Sequence, residues 1–329
     1  MKQFHQTCAL LLALLCLIAS LSGCTKVEED ETVYYTITFD SKGGTPIEEL
    51  RVAEGQSIPR GNDPTREGWL FEGWKTENGA FWNFESDVAF ADITLVAAWI
   101  PATDVFDHEP TGDGTTTITR LLKIRSTLPI PTILDGLTVT AIGEGVFAEL
   151  SKEQVTSISL PETVTSVGEE AFYECRGIEL TVDPRAILTE VGAGAFYGCD
   201  GLRSVTLGEG MTSIAPDAFF GCRGLKEIRI PKSVTVLEDN AFADCTALVT
   251  VMLYSDVTEV CDSAFKDCDA LRTIYFYGNE AEITTLRESG TAKQNDAFLR
   301  ATVYFYSATK PESGGNYWYL TENDRPKLW

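Results

Sequence analysis

Histidine is nearly missing from this 329-residue chain, which contains only His5 and His108. If His5 leaves with an N-terminal signal, two-histidine metal sites are excluded and His108 is the one imidazole available as a base. Positive charge is also short: 26 Lys and Arg face 49 Asp and Glu, for a net charge of −23. A surface this acidic repels phosphate backbones, so nucleic acid is not expected as a partner. No Cys-x-x-Cys occurs, which removes a zinc ribbon. No Ser-His-Asp set, phosphate loop or dinucleotide fingerprint is found, so the chain is expected to be no enzyme and to need no cofactor or metal. What is present, 44% apolar and 10% aromatic residues, suits a folded chain long enough for two domains.

Lys2 precedes an apolar run from Ala9 to Leu21 that closes in Leu21-Ser22-Gly23-Cys24. The run is too short for an ordinary spanning helix and reads as a secretion signal over 1–23. Its last four residues resemble a bacterial lipobox, which implies a lipid on Cys24 and a membrane as partner. An uncleaved anchor, or a plain signal with an incidental Cys, is the alternative. Residues 24–31, including Glu28-Glu29-Asp30-Glu31, form an acidic tether with nothing to bury. The tether resembles the tract that sends some Bacteroidetes lipoproteins to the outer face of the outer membrane.

Residues 32–100 alternate as short strands separated by turns, with Trp69, Trp74, Trp82 and Trp99 on hand for a core. Ile37-Thr38-Phe39-Asp40, Gly43-Gly44, Asp63-Pro64-Thr65-Arg66-Glu67-Gly68-Trp69-Leu70-Phe71-Glu72-Gly73-Trp74 and the closing Ala91 to Trp99 resemble the internalin-type B repeat, or Listeria–Bacteroides repeat. The resemblance implies a small β-grasp-like fold acting as spacer or weak binding module. Residues 101–117, with Pro101, Pro110, Gly112 and Gly114 among acids, are expected to be a linker, and His108 a solvated residue within it.

The main signal is an internal repeat. Phe172, Phe196, Phe219, Phe242 and Phe265 recur at steps of 24, 23, 23 and 23 residues, each three residues before Cys175, Cys199, Cys222, Cys245 or Cys268. Phe147 precedes them and Phe298 follows, both without the Cys. Short strands follow the last four copies: Val205-Thr206-Leu207, Ile228-Arg229-Ile230, Val251-Met252-Leu253 and Ile274-Tyr275-Phe276. A period of about 23 marks a solenoid whose coils bury one shared core. Leu225 to Thr235 with Ala241-Phe242-Ala243-Asp244-Cys245 resembles the BspA-like leucine-rich repeats. That implies a mainly β, right-handed solenoid over 118–306 and a capping segment over 307–329. The Gly after each Val-x-Ile stands at 143, 168 and 192 but is replaced by Ala215, Glu238 and Cys261, so the position does not demand positive φ.

Five ladder cysteines and Cys261 allow a disulfide reading, but side chains on stacked coils point in parallel, and buried thiols are expected instead. Recurring acids such as Glu170, Glu174, Asp217, Asp244 and Asp267 are expected to be a solvated edge. If Val205, Ile228, Val251 and Ile274 face inward, the residues one and three places on face outward. Toward the C-terminus those columns hold Met252, Tyr254, Tyr275, Tyr277, Tyr304 and Tyr306. These six are the expected ligand-binding face; a tyrosine ladder stacked only to pack, covered by Asn316 to Trp318, is the alternative. The resemblance implies a surface protein for adhesion or recognition, with host matrix or microbial surface proteins as partners. A glycan-binding lipoprotein and a structural envelope protein stay open beside it.

Overall fold

The computed structural model describes residues 32–288, 294–312, 315–321 and 325–329; the signal segment, Cys24 and the tether lie outside the described residues. The N-terminal module is one four-stranded sheet. Its strands are β1 (Tyr34–Asp40), β2 (Leu50–Ala53), β3 (Trp69–Lys75) and β4 (Ile93–Pro101), in the order β2–β1–β4–β3. β1 and β4 run parallel, and the outer pairs are antiparallel. Period-two alternation sends Tyr35, Ile37 and Phe39 to one face, where they meet Val52, Ile58, Trp74 and Leu95. Trp99 packs edge-on against Phe71 and donates its Nε1–H to the Ser41 carbonyl, 3.0 Å away. Its ring explains Gly44, where a Cβ would lie 2.5 Å from Trp99 Cζ2. Trp69 departs from the expected core and lies under the Arg66 guanidinium, 4.2 Å from its ring centre.

Residues 101–117, expected as a linker, are instead part of the folded core. Ala102–Asp104 form a single 3-10 turn, and Val105 and Phe106 are fully buried. β5 (Phe106–Pro110) and β6 (Thr115–Leu121) make an antiparallel hairpin, and β6 pairs in parallel with Leu137–Ile142 of the solenoid. The reason is apolar content: Val105, Phe106 and Ile118 supply what the first coil needs to cover its open end. His108 therefore sits in a strand, half-buried, with Nδ1 2.9 Å from Oγ1 of the buried Thr116. Module and solenoid share surface. Leu70, Ile100 and Ala102 join the solenoid core, and Arg125 pairs with Glu72 at 3.1 Å.

The solenoid stacks parallel strands along one face: Thr127–Pro129, Ser157–Leu160 and Glu179–Val182, then Glu227–Arg229, Thr250–Tyr254, Thr273–Tyr277, Thr302–Tyr306 and Tyr317–Leu320. Antiparallel Pro326–Leu328 closes that face. Val205-Thr206-Leu207 was expected to continue it, yet only a single bridge forms, between Leu207 and Leu188. Leu188 takes the pairing position, giving its N–H to the Thr206 carbonyl and accepting from Gly208 N–H, so the ladder is broken there. Pro129 and Pro326 lie on the two outermost strands of the face and have no N–H to offer a further strand.

The interior is a column of rings. Phe147, Phe172, Phe196, Phe219, Phe242, Phe265 and Phe298 stack at 5.1–5.5 Å, and Phe106 closes the column edge-on. At the turns the expectation of a merely solvated acidic edge is incomplete. Glu170, Glu174, Asp217, Asp244 and Asp267 hold φ between 52° and 58°, where equivalent coils carry Gly194, Gly198 and Gly221. At these positions the left-handed turn is filled by glycine, which adopts it without strain, or by aspartate and glutamate. Gly143, Gly168 and Gly192 are not in that region, in line with their replacement by Ala215, Glu238 and Cys261. An inserted stretch after Gly278 forms α1 (Glu280–Glu288) and α2 (Asp296–Arg300).

Candidate binding face

The strand register aligns three columns across the C-terminal coils. Thr250, Thr273 and Thr302 form the first; Met252, Tyr275 and Tyr304 the second; Tyr254 and Tyr277 the third, which Tyr306 continues. Alternation with buried Val251, Leu253, Ile274 and Phe276 turns these columns away from the core. Tyr254 and Tyr277 stack at 4.2 Å with 6° between planes, and Tyr306 continues at 4.9 Å. Arg229 donates to the Tyr254 hydroxyl at 3.0 Å.

Three of the expected positions behave differently. Met252 is only 7% exposed, on a central strand whose register neighbours are Arg229 and Tyr275. Trp318, fully buried, crosses the face and packs against Tyr275 at 5.1 Å, Tyr277 at 4.7 Å and Tyr306 at 5.2 Å. Tyr275 and Tyr277 are thus partly covered, as the packing alternative has it. Tyr254 and Tyr304 are half-buried without touching Trp318, and Tyr306 is 38% exposed. Cys24 lies outside the described residues.

The thiols form a second ladder. All six described cysteines are free, and five are buried. Each ladder thiol donates to the carbonyl of the preceding coil's phenylalanine: Cys175 to Phe147 at 3.0 Å, and likewise down to Cys268 on Phe242 at 3.0 Å. A small apolar side chain that also satisfies a buried carbonyl explains why cysteine recurs. Burial pushes Cys175 and Cys268 up to about 12 and raises Cys199, Cys222 and Cys245 as well. The native state therefore holds neutral thiols. Their contribution is complete below the unfolded-state value near 9 and is lost as pH rises from there toward about 12. Thermal melts are expected to fall steeply above pH 9, and less so for Cys222→Ala than for the parent. Equal slopes would refute a ladder contribution.

These features define a leucine-rich-repeat solenoid. Six copies of the BspA-type leucine-rich-repeat model match residues 132–187 and 180–289, and the Listeria–Bacteroides repeat domain matches residues 35–98. The chain is a BspA-like leucine-rich-repeat protein with an N-terminal Listeria–Bacteroides repeat. Among solved structures it is similar to TpLRR, the leucine-rich-repeat protein of T. pallidum. That match has 25% identity over 60% of this chain and 98% of the other, with a TM-score of 0.48. A leucine-rich cell surface protein of Faecalibacterium prausnitzii matches at 28% identity over 52% of this chain and 53% of its own, with a TM-score of 0.42. A provisionally named Gly-rich membrane protein of Evansella cellulosilytica is 33% identical over 84 residues, which is 23% of this chain and 10% of that protein. This chain spans about a tenth of that curated relative's length.

Proposed function

We propose that this is a bacterial surface lipoprotein, held by a lipid on Cys24, whose solenoid recognises proteins through its C-terminal strand face. Host matrix proteins and the surface proteins of other microbes are the expected partners. The observation that carries the reading is the chemistry of the face. Nine registered positions on Thr250–Tyr254, Thr273–Tyr277 and Thr302–Tyr306 hold threonine, methionine and tyrosine and no charge, in a chain of net charge −23. Interface cores are depleted in charge and enriched in tyrosine, whose ring binds at low entropic cost.

A glycan ligand is less well served. Sugars dock on ring faces, whereas Tyr254 and Tyr277 stack a face on each other and Tyr306 continues that column at 4.9 Å. Tyr254→Ala, Tyr304→Ala and Tyr306→Ala combined are expected to leave the fold intact and weaken binding to immobilised matrix proteins at least tenfold. Normal binding by the triple variant would remove this face as the site. Capture of soluble oligosaccharide by the parent would favour the glycan reading. Protease shaving of intact cells tests the address: loss of the solenoid band supports surface display, and protection alongside cleaved surface controls overturns it.

A further inference from the structure

The module carries three exposed apolar side chains at one edge that neither its core nor the solenoid uses. Phe90 is 64% exposed, the highest value among the described large apolar side chains, and Val33 and Tyr34 are 47% and 52% exposed. Backbone pairing brings their segments to one corner, where alternation sends the adjacent Val33 and Tyr34 to the two sides of the sheet edge. Glu54 N–H donates to the Val33 carbonyl and Gly55 N–H to the Ala89 carbonyl, each at 2.8 Å, and Tyr34 is paired with Ala53. A Cβ at Gly55 would lie 3.6 Å from the Phe90 ring, so that ring rests over the turn between these strands. Arg51 adds its guanidinium 5.5 Å from the Tyr34 ring centre. Two aromatic rings, a valine and an arginine form the side-chain mixture suited to the boundary between headgroups and acyl chains.

The position of this corner matters as much as its composition. The chain enters the module at Val33, nine residues after Cys24. Nine extended residues reach about 30 Å at most, so a lipid on Cys24 confines this corner to the layer just above the bilayer. Confinement raises the local concentration of membrane and lets a contact too weak to act alone become populated. Exposed Glu54 and Asp92 border this corner and disfavour anionic headgroups. We infer that Val33, Tyr34 and Phe90 dock the module onto a zwitterionic lipid surface beside the anchor, setting the tilt at which the solenoid leaves the membrane. The inference rests on the lipid-anchor reading above.

The test uses the full chain, recovered with its lipid and placed in phosphatidylcholine vesicles, with Phe90→benzoylphenylalanine as a photo-crosslinker. Tyr306→benzoylphenylalanine at the far end of the solenoid is the control. Flotation that is lost in Cys24→Ser establishes the anchor independently of the docking. On illumination, acyl-chain adducts are expected at position 90 and not at position 306. Floated protein without adducts at position 90 overturns the docking while leaving the anchor standing. Equal adducts at both positions overturn it too, because contact would then be unspecific. Failure to float, or flotation unchanged in Cys24→Ser, overturns the anchor and the docking with it.

Discussion

Phe219→Ala is expected to destabilise the solenoid by about 3–5 kcal/mol, the cost of emptying a fully buried phenylalanine site. Phe219 has no exposed surface and stacks between Phe196 at 5.4 Å and Phe242 at 5.3 Å, with planes within 12°. The coils above and below cannot close on the gap, because each is fixed by its own backbone ladder. Phe196 N–H bonds the Ala218 carbonyl, and Phe219 N–H bonds the Ala241 carbonyl, both at 2.9 Å. A solenoid couples only nearest neighbours, so a weak central layer divides its cooperativity as well as lowering its stability. Urea unfolding is expected to shift to a lower midpoint and broaden. The tryptophans of the module and Trp318 at the other end should then report separate transitions. Phe298→Ala, at the end of the column, should cost less and leave the module transition unmoved. A single sharp transition in Phe219→Ala, displaced by less than about 1 kcal/mol, would mean that the ring column is not the main source of coupling.

The column was legible in the sequence because repetition amplifies a weak signal: one Ala-Phe-x-x-Cys says little, and five at a fixed period specify a layer. The same logic explains what was missed. Phe106 covers the first coil without belonging to any repeat, and Pro and Gly around it resemble linker chemistry even though Val105, Phe106 and Ile118 are buried. The break at Val205 arises from Leu188, one coil away, and no pattern within the strand itself announces it. The helix α1 did leave a local sign. Asn279 Oδ1 accepts from Glu282 N–H at 3.1 Å, and Glu282 Oε2 accepts from Asn279 N–H at 2.8 Å, a reciprocal cap spelled Asn-x-x-Glu. Tyrosines at outward positions were readable from period-two alternation. Which of them stay open depends on where Trp318 folds back, and that is a tertiary property.

Asn295→Leu is expected to cost about 1–3 kcal/mol, because the buried Phe265 N–H loses its partner, while the Cys261 carbonyl loses one of two donors and keeps Ala264 N–H at 3.3 Å. In each interior coil the phenylalanine N–H bonds the next coil's backbone, as Phe242 N–H does to the Ala264 carbonyl at 2.8 Å. Phe265 faces the inserted segment instead. The fully buried Asn295 side chain stands in for the missing backbone, its Oδ1 accepting from Phe265 N–H at 2.6 Å and its Nδ2 donating to the Cys261 carbonyl at 2.9 Å. The amide thus supplies the acceptor that a further coil would provide and adds a donor that ties it to the last coil, and Phe298 completes the imitation by stacking on Phe265 at 5.3 Å. Asn295→Asp separates the two halves of this role. Its carboxylate keeps the acceptor but has no proton for the Cys261 carbonyl, and burial raises its affinity for a proton. A folded-state value above the unfolded one near 3.9 gives stability that is complete below that pH and lost as pH rises through the folded value. The deficit of Asn295→Asp relative to the parent should therefore shrink as pH is lowered from 7 toward 4, while that of Asn295→Leu stays flat. Parallel pH profiles for the two variants would show that the amide fills space at the solenoid's end without closing its hydrogen bonds.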